Sequence, residues 1–203
     1  MMAIITMAID HVGAVFFPQY IILRIIGRLA FPIFCFLLVE GFYHTRDVHK
    51  YMLRLGIFAF VSEIPFDLAF FGTFIEFTHQ NVFFTLFLGL LALYLLNTKM
   101  LLVTKTVGVF LLMFLAELLH TDYGAIGILM ILVFYSFREK LIIKSASIGI
   151  INMLLVGGVQ AYATFSVIPI LLYNGRRGYN LKYIFYAFYP VHLIIIFIVS
   201  LLL

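Results

Sequence analysis

The residues of this sequence that could do acid–base chemistry are few and lie inside long apolar stretches. Asp10 and His11 are adjacent near the start of the chain, and His192 lies near its end. A histidine gains and loses a proton near neutral pH, so either one could act as a general base on a reacting amine or hydroxyl. The structural alternative is that both histidines only pack between helices. The histidines outside apolar stretches, such as His79, are interpreted as ordinary loop residues.

Four more charged residues in apolar stretches form two pairs with helical spacing. Arg24 and Arg28 are four residues apart, and so are Glu63 and Asp67. Residues at i and i+4 share one face of a helix, so each pair forms a charged stripe. From their similar depths we predict that Arg24 pairs with Asp67 and Arg28 with Glu63, while Asp10 is another possible partner for an arginine. Ion pairs that hold helices in register are the structural alternative to a chemical role.

The elements that carry these residues are predicted to be membrane-spanning helices. Of the 203 residues, 65% are hydrophobic and only 11% are charged, which leaves too little polar surface for a soluble protein. About 20 apolar residues span a bilayer as a helix. The apolar segments are 3–19, 20–43, 51–72, 81–97, 100–119, 123–137, 141–158, 159–174 and 182–203. We therefore predict an all-α, polytopic transmembrane bundle of about nine spans, forming a single domain over residues 1–203.

The basic residues predict the orientation of this bundle. Of the thirteen Lys and Arg residues, all except Arg24 and Arg28 fall in or beside every second connection between spans. They follow spans two, four, six and eight: Arg46, Lys50, Arg54, Lys99, Lys105, Arg138, Lys140, Lys144, Arg176, Arg177 and Lys182. Basic loops collect on the cytoplasmic side. The N-terminus is therefore predicted to be cytoplasmic and the C-terminus extracytoplasmic.

Several function classes are disfavoured by composition and motifs. The net charge of +4 is spread over short loops without a basic tract, so we expect no nucleic-acid partner. Cys35 is the only cysteine, which excludes an intramolecular disulfide and a cysteine metal site. The sequence has no HExxH, GxxxxGK[ST] or GxGxxG motif, and we predict no metal ion. The first apolar stretch has no basic region before it and is read as a span, not as a cleaved signal peptide.

Five further residues predict local features of the helices. Asn81 precedes segment four and Asp122 precedes segment six, where each could cap a helix N-terminus. Pro32, Pro65 and Pro190 lie inside predicted spans and indicate kinks beside the polar layer.

Taken in order, these residues resemble the TraX family of membrane proteins, which is named for the pilin acetylase of conjugative plasmids and is akin to the wider group of membrane acyltransferases. The resemblance extends over nearly the whole chain and rests on short motifs. They are DH at 10–11, IGRLAFP at 26–32, EGF at 40–42, HTR at 44–46, YMLRL at 51–55, SEIPFD at 62–67, NVFFTL at 81–86, DYG at 122–124 and YPVHL at 189–193.

The resemblance implies transfer of an acetyl or other acyl group from cytoplasmic acetyl-CoA to an amine or hydroxyl of a peptide, pilin or small-molecule acceptor. It also implies a multi-pass protein of the bacterial cytoplasmic membrane, with the lipid bilayer, acyl-CoA and the acceptor as partners; a homodimer is possible. The implied catalytic residues are Asp10, His11, Arg28, Glu63 and His192.

Two more sets of residues are implied to bind the substrates. The phosphates of CoA would lie at Arg46, Lys50, Arg54, Arg138 and Lys140. The same residues already satisfy the topology rule, so a purely topological role is the alternative. The acceptor would contact Arg24, Asp67, Asn81, Asp122 and Tyr123.

Two rival functions use the same residues. A proton-coupled transporter would employ the intramembrane charges as a relay, although the chain has no evident internal repeat. A membrane scaffold without catalytic activity would use them only as ion pairs, and this leaves the two deep histidines without a role.

Overall fold

A computed structural model of the chain describes residues 1–175 and 182–203. Over these residues the protein is helical and contains no β-strand, so the predicted all-α class is confirmed there. The helices are α1 (Met2–Phe16), α2 (Ile21–Gly27), α3 (Ala30–His44), α4 (Val48–Phe71), α5 (Val82–Leu96), α6 (Leu102–Leu118), α7 (Gly124–Ser136), α8 (Leu141–Ile150), α9 (Val167–Leu171) and α10 (Lys182–Ser200). The predicted basic residues Arg176 and Arg177 lie outside the described residues.

The second predicted span is broken between α2 and α3, at Arg28 and Leu29. Pro32 accounts for this break, because proline lacks an N–H and its ring clashes with the carbonyl four residues earlier, which here belongs to Arg28. Pro65 and Pro190, by contrast, lie inside the uninterrupted helices α4 and α10. Arg28 and Leu29 nevertheless keep right-handed helical backbone angles across this break.

The chain between α8 and α9 is irregular. A π-helical turn covers Ile151–Val156, and a 3₁₀ segment covers Gly158–Ser166. Gly157 and Gly158 both have positive φ angles, of 68° and 56°, a conformation that glycine adopts without steric cost. The predicted boundary between segments seven and eight coincides with this irregular region.

The helices pack around one main core. α4 packs against α10 and α5, α1 packs against α2, α3 and α10, and α5 also packs against α6 and α7. Fully buried Phe31, Leu90, Leu93 and Phe134 contribute to the core. This arrangement surrounds α1, which carries Asp10 and His11, with α2, α3 and α10.

Contacts between connections define two ends of the bundle. At one end Tyr135 donates a hydrogen bond of 3.0 Å to Asn97, and Arg138 donates one of 2.7 Å to Glu40. We call this the basic end, because it includes connections 45–47, 97–101 and 137–140. At the opposite end the connections 72–81 and 119–123 meet through an isolated bridge between Gln80 and Thr121. Neither connection at that end contains a lysine or arginine.

Two described stretches are long and apolar enough to cross a bilayer, Ile21–His44 and Tyr183–Ser200. Other apolar helices are shorter. With 15 residues each, α1 and α5 are about 22 Å long at 1.5 Å per residue, whereas a bilayer core is about 30 Å thick. The number of spans and the orientation of the bundle therefore stay predictions.

Candidate active site

The carboxylate of Asp10 lies between two arginines. Arg24 Nη1 donates to Asp10 Oδ2 at 2.8 Å, and Arg28 Nη2 donates to Asp10 Oδ1 at 2.9 Å and to Oδ2 at 2.8 Å. Arg24 Nη1 also reaches the backbone carbonyl of Asp10 at 3.1 Å. Arg24 lies in α2 and Arg28 directly follows its last residue, and both side chains reach the same residue of the neighbouring helix α1. One buried carboxylate is thus shared by two positive charges.

Gly27 allows α1 and α2 to approach closely enough for these bonds. A Cβ atom added at Gly27 would overlap the Cβ, Cγ and Oδ1 atoms of Asp10. Any larger residue would push the Asp10 carboxylate away from Arg24 and Arg28. The glycine is therefore required by the packing between the helices.

The predicted pairing of the arginines with α4 is wrong. Glu63 instead accepts hydrogen bonds from the backbone N–H and the side-chain amide of Asn81, and Asp67 accepts one of 2.9 Å from the backbone N–H of Glu76. Both carboxylates hold the connection 72–81 against α4. The arginines instead face α1, the helix against which α2 packs. The proposed alternative, Asp10 as their partner, is confirmed.

The two histidines form a hydrogen-bonded pair. His11 Nδ1 lies 2.7 Å from His192 Nε2, and the two rings are nearly parallel. His192 Nδ1 lies 2.7 Å from the carbonyl oxygen of Phe188, which can only accept, so His192 Nδ1 carries the proton. In the neutral pair His192 Nε2 then accepts from His11 Nδ1. Three of the four ring nitrogens are thus engaged in hydrogen bonds, and the fourth, His11 Nε2, keeps a lone pair that can accept a proton.

His11 lines a cavity of about 270 Å³, which we call the histidine cavity. Its polar lining includes Asp10, Arg24, Arg28, His79 and Asp122. Its apolar wall is largely aromatic and includes Phe66, Phe70 and Tyr123. The Nε of Arg28 is buried and has no hydrogen-bond partner among the described residues. His11 and the guanidinium group of Arg28 therefore belong to residues that line the same cavity.

A second, larger cavity of about 410 Å³ reaches towards the basic end, and we call it the basic-end cavity. Leu38, Leu55 and Phe83 contribute to its mostly apolar wall, while Thr45 and Arg54 line it close to the α3–α4 connection. The Nε of Arg54 is also buried without a partner among the described residues. This cavity combines a long apolar interior with a cation.

Three residues line both cavities: Met7 of α1, Phe34 of α3 and Val82 of α5. Met7 and Val82 are buried, with 6% and 9% of their surfaces exposed. The two cavities therefore meet at a wall made by three helices. Met7 precedes His11 by one helical turn on the same face of α1.

The predicted phosphate-binding residues differ in availability. Arg46, Lys50 and Lys140 have exposed positions at the basic end, and only Arg54 of this set lines a cavity. Arg138 is already occupied, because its guanidinium donates to Glu40 at 2.7 Å and to Glu139 at 2.8 Å. It also lies 4.4 Å from the centre of the Tyr43 ring. Arg138 thus fastens the α7–α8 connection to α3.

The predicted acceptor-binding residues separate into two groups. Arg24, Asp122 and Tyr123 line the histidine cavity, whereas Asp67 and Asn81 are not among its lining residues. Asn81 caps α5 as predicted, since its side chain accepts from the N–H of Phe83 at 2.9 Å. The predicted capping role of Asp122 is wrong, because the N-cap of α7 is Tyr123 and forms no side-chain cap. Asp122 instead accepts a hydrogen bond from a histidine.

That histidine, His79, is a site residue that the sequence analysis missed. Its Nε2 lies 3.0 Å from Asp122 Oδ1, and this hydrogen bond raises the pKa of His79 above its usual value. Its ring also stacks on Phe66, with 5.9 Å between the centres. No local signal separates His79 from other loop histidines. Met7 was missed too, although its position four residues before His11 places it on the same helical face.

The described residues contain no group of three or more His, Cys, Asp or Glu side chains that could hold a metal ion. The polar groups of the site are arranged as an Asp–Arg–Arg cluster and a His–His pair. The Sγ atom of Cys35 belongs to a buried residue of the main core and lines neither cavity.

The helical fold of the described residues and two stretches long and apolar enough to cross a bilayer are typical of a membrane protein, and ionisable side chains line a cavity inside it. The TraX protein family matches residues 1–200, and the chain belongs to this family. The chain is 33% identical to the probable fimbrial assembly protein FimC, serogroup H1, of Dichelobacter nodosus, over 94% of this chain and 89% of the relative. An uncharacterized protein of Rickettsia prowazekii is 30% identical over 70% of this chain, which spans 56% of that relative. No solved structure matches significantly.

Proposed function

We propose that this protein is a membrane-embedded acetyltransferase, which moves an acetyl group from cytoplasmic acetyl-CoA to an amine or hydroxyl of an acceptor. The observation that carries the proposal is the meeting of two cavities beside His11, one with an apolar interior and one with a base. Membership of the TraX family supports acetyl transfer. The fimbrial assembly role in the name of the Dichelobacter relative favours a pilin or another peptide over a small molecule as the acceptor.

The proposed setting is the bacterial cytoplasmic membrane, with about nine spans and the basic end in the cytoplasm. Large apolar side chains are exposed along the outside of the bundle; on α6, Val103, Phe110 and Phe114 each expose at least 65% of their surface. Such surfaces are stable against lipid but not against water. Helices shorter than the bilayer core can be accommodated by local thinning of the bilayer.

The donor is proposed to enter the basic-end cavity. Its polar phosphates would stay at the basic end near Arg54, with Arg46, Lys50 and Lys140 nearby, because a charged nucleotide is costly to bury in hydrocarbon. The pantetheine arm would lie along the apolar interior, so that the thioester reaches the wall at Met7. Arg138 is assigned to structure here, since Glu40 and Glu139 already bind its guanidinium.

The acceptor is proposed to react in the histidine cavity. Its nitrogen or oxygen attacks the thioester carbonyl carbon, and the proton it loses passes to His11 Nε2. The negative charge that develops on the carbonyl oxygen would be stabilised by the positively charged guanidinium of Arg28, which lines this cavity. The carbon–sulfur bond then breaks, and the CoA thiolate takes the proton back from His11. The products are the acetylated acceptor and free CoA.

His192 and Asp10 are proposed to position this chemistry without touching the substrates. His192 fixes the His11 tautomer by accepting the Nδ1–H, which keeps the lone pair on Nε2. Asp10 holds the guanidinium of Arg28 and so orients its remaining N–H groups. Glu63 would act further away, through Asn81 and the connection 72–81.

A proton-coupled transporter is the second candidate, and the same two cavities favour it. Cavities that open towards opposite ends and are separated by a wall are what alternating access requires. The hydrogen-bonded histidines could carry the proton. Acetyl transfer makes a new covalent bond on the acceptor, whereas transport leaves the solute chemically unchanged.

The test uses purified protein in lipid nanodiscs with radiolabelled acetyl-CoA and peptides bearing a free N-terminal amine. We expect labelled peptide with the wild type and a loss of about 10²- to 10⁴-fold in kcat with His11→Ala. His192→Ala should lose less and should shift the pH profile of kcat, because its effect is on the proton affinity of His11.

The matched control is His49→Ala, which removes an exposed histidine at the basic end and should leave kcat unchanged. Full activity of His11→Ala would remove His11 from the mechanism. A wild-type protein that binds no CoA, but accumulates a solute in vesicles when a proton gradient is imposed, would replace the acetyltransferase by the transporter.

A further inference from the structure

The wall between the two cavities consists of apolar side chains, and their size limits which acyl groups can react. Met7, Phe34 and Val82 come from three different helices, and all three line both cavities. A thioester that arrives through the basic-end cavity must place its carbonyl carbon at this wall, where an acceptor in the histidine cavity can attack it. Its acyl group must therefore fit between these three side chains.

The space immediately beyond the wall is also confined. Phe70 packs edge to face against His11, with 5.3 Å between the ring centres, and Phe66 lies 4.9 Å from Phe70. Rings packed in this way cannot yield easily, because protein interiors are close-packed and a displaced ring disturbs its neighbours. An acyl chain that extends past the wall would therefore approach these aromatic rings.

We propose that Met7, Phe34 and Val82 form an aperture that sets the length of the transferred acyl group and restricts the enzyme to acetyl donors. The proposal rests on the proposed acetyltransferase function. Met7 is the principal determinant, because it lies one helical turn from the base and has a long, unbranched side chain that lines both cavities. Removing its side chain beyond Cβ opens room for additional methylene groups.

The experiment compares kcat/KM for acetyl-CoA, propionyl-CoA and butyryl-CoA with one amine acceptor. In the wild type each added methylene should lower kcat/KM by about tenfold or more, the discrimination typical of a confined apolar pocket. Met7→Ala should raise the butyryl-to-acetyl ratio of kcat/KM by at least about tenfold. Val82→Ala removes less volume and should raise this ratio by a smaller factor. Met7→Leu should retain the wild-type preference, because it conserves volume.

Met130→Ala is the matched control, since Met130 is buried in the core of α7 and lines neither cavity. It should lower thermal stability without changing the ratio. If Met7→Ala fails to fold, Val82→Ala decides the question. A ratio within about twofold of wild type in the folded variants would overturn the aperture while leaving acetyl transfer intact. A wild-type protein that transfers no acyl group from any donor would instead overturn the proposed function.

Discussion

The histidine cavity and the basic-end cavity are built on different physical principles. In the histidine cavity the charges are held by other charges from neighbouring helices, as Arg24 and Arg28 hold Asp10. In the basic-end cavity the wall is mostly apolar, and Arg54 lies towards one end. The histidine cavity therefore depends on the relative positions of charged groups from different helices, whereas the basic-end cavity depends on its apolar shape and on the positive charge of Arg54. Substitutions should therefore affect the two cavities differently.

The largest predicted change is a loss of stability when Asp10, the carboxylate bound by both arginines, is removed. Asp10→Ala would leave two guanidiniums partly buried without their carboxylate, which should lower the free energy of unfolding by about 3 kcal/mol or more. Denaturant unfolding in detergent micelles measures this loss. The control Glu139→Ala removes an exposed carboxylate and should change the free energy by less than about 0.5 kcal/mol. A loss below about 1 kcal/mol in Asp10→Ala would indicate that the arginines find another partner.

The next prediction concerns the KM for acetyl-CoA and distinguishes Arg54 from Arg138. Arg54→Gln should raise the KM for acetyl-CoA by about ten- to a hundredfold, the loss expected when a charged hydrogen bond is removed. Arg138→Gln should leave KM nearly unchanged and reduce stability instead, because its partners are Glu40 and Glu139. Steady-state kinetics with both variants tests the assignment. Equal KM values for Arg54→Gln and wild type would remove Arg54 from the donor site.

A smaller effect tests the close approach of α1 and α2. Gly27→Ala should lower the free energy of unfolding by about 1–3 kcal/mol, because its Cβ overlaps Asp10. Gly149→Ala is the matched control in α8, where a new Cβ would lie 3.4 Å from Thr164 and meet ordinary packing. That control should be neutral, or more stable by about 0.5–1 kcal/mol as expected for alanine in a helix. Equal stability of the two variants would contradict the packing argument.

The smallest predicted change concerns the hydrogen bond between His79 and Asp122, which joins the two connections that line the histidine cavity. The hydrogen bond to Asp122 raises the pKa of His79 in the folded protein. The stabilisation that this hydrogen bond gives is therefore complete below the pKa of histidine in the unfolded chain, about 6.5. It is lost as the pH rises through the higher pKa of His79 in the folded protein. Asp122→Asn should be less stable than wild type by up to about 1 kcal/mol at pH 6, and the difference should vanish at high pH.

Thermal unfolding over this pH range measures the difference. His79→Gln should show the same loss, and the double variant should lose no more than either single one, because both remove one interaction. A stability difference that grows with pH would contradict this assignment.

Asp10, His11, Arg24, Arg28 and His192 were found from residue type and position, because ionisable groups inside an apolar stretch are uncommon and costly, whereas the loop residue His79 was missed. Their partners could not be found in this way. Equal depth along two helices predicts that Arg28 and Glu63 can meet, but contact also depends on which faces the helices turn towards each other. Here Arg24 and Arg28 face α1, the neighbour against which α2 packs. The tautomer of His11 depends similarly on Phe188, a residue 177 positions later in the chain.

Composition and local spacing were enough to predict a helical protein, to place the basic residues other than Arg24 and Arg28 in or beside every second connection, and to single out Asp10, His11 and His192. The tertiary structure was needed to show that Asp10 binds both arginines, that His192 orients His11, and that two cavities meet at Met7. Those features arise from contacts between distant helices, and local sequence carries no signal for the rotation and spacing of such neighbours.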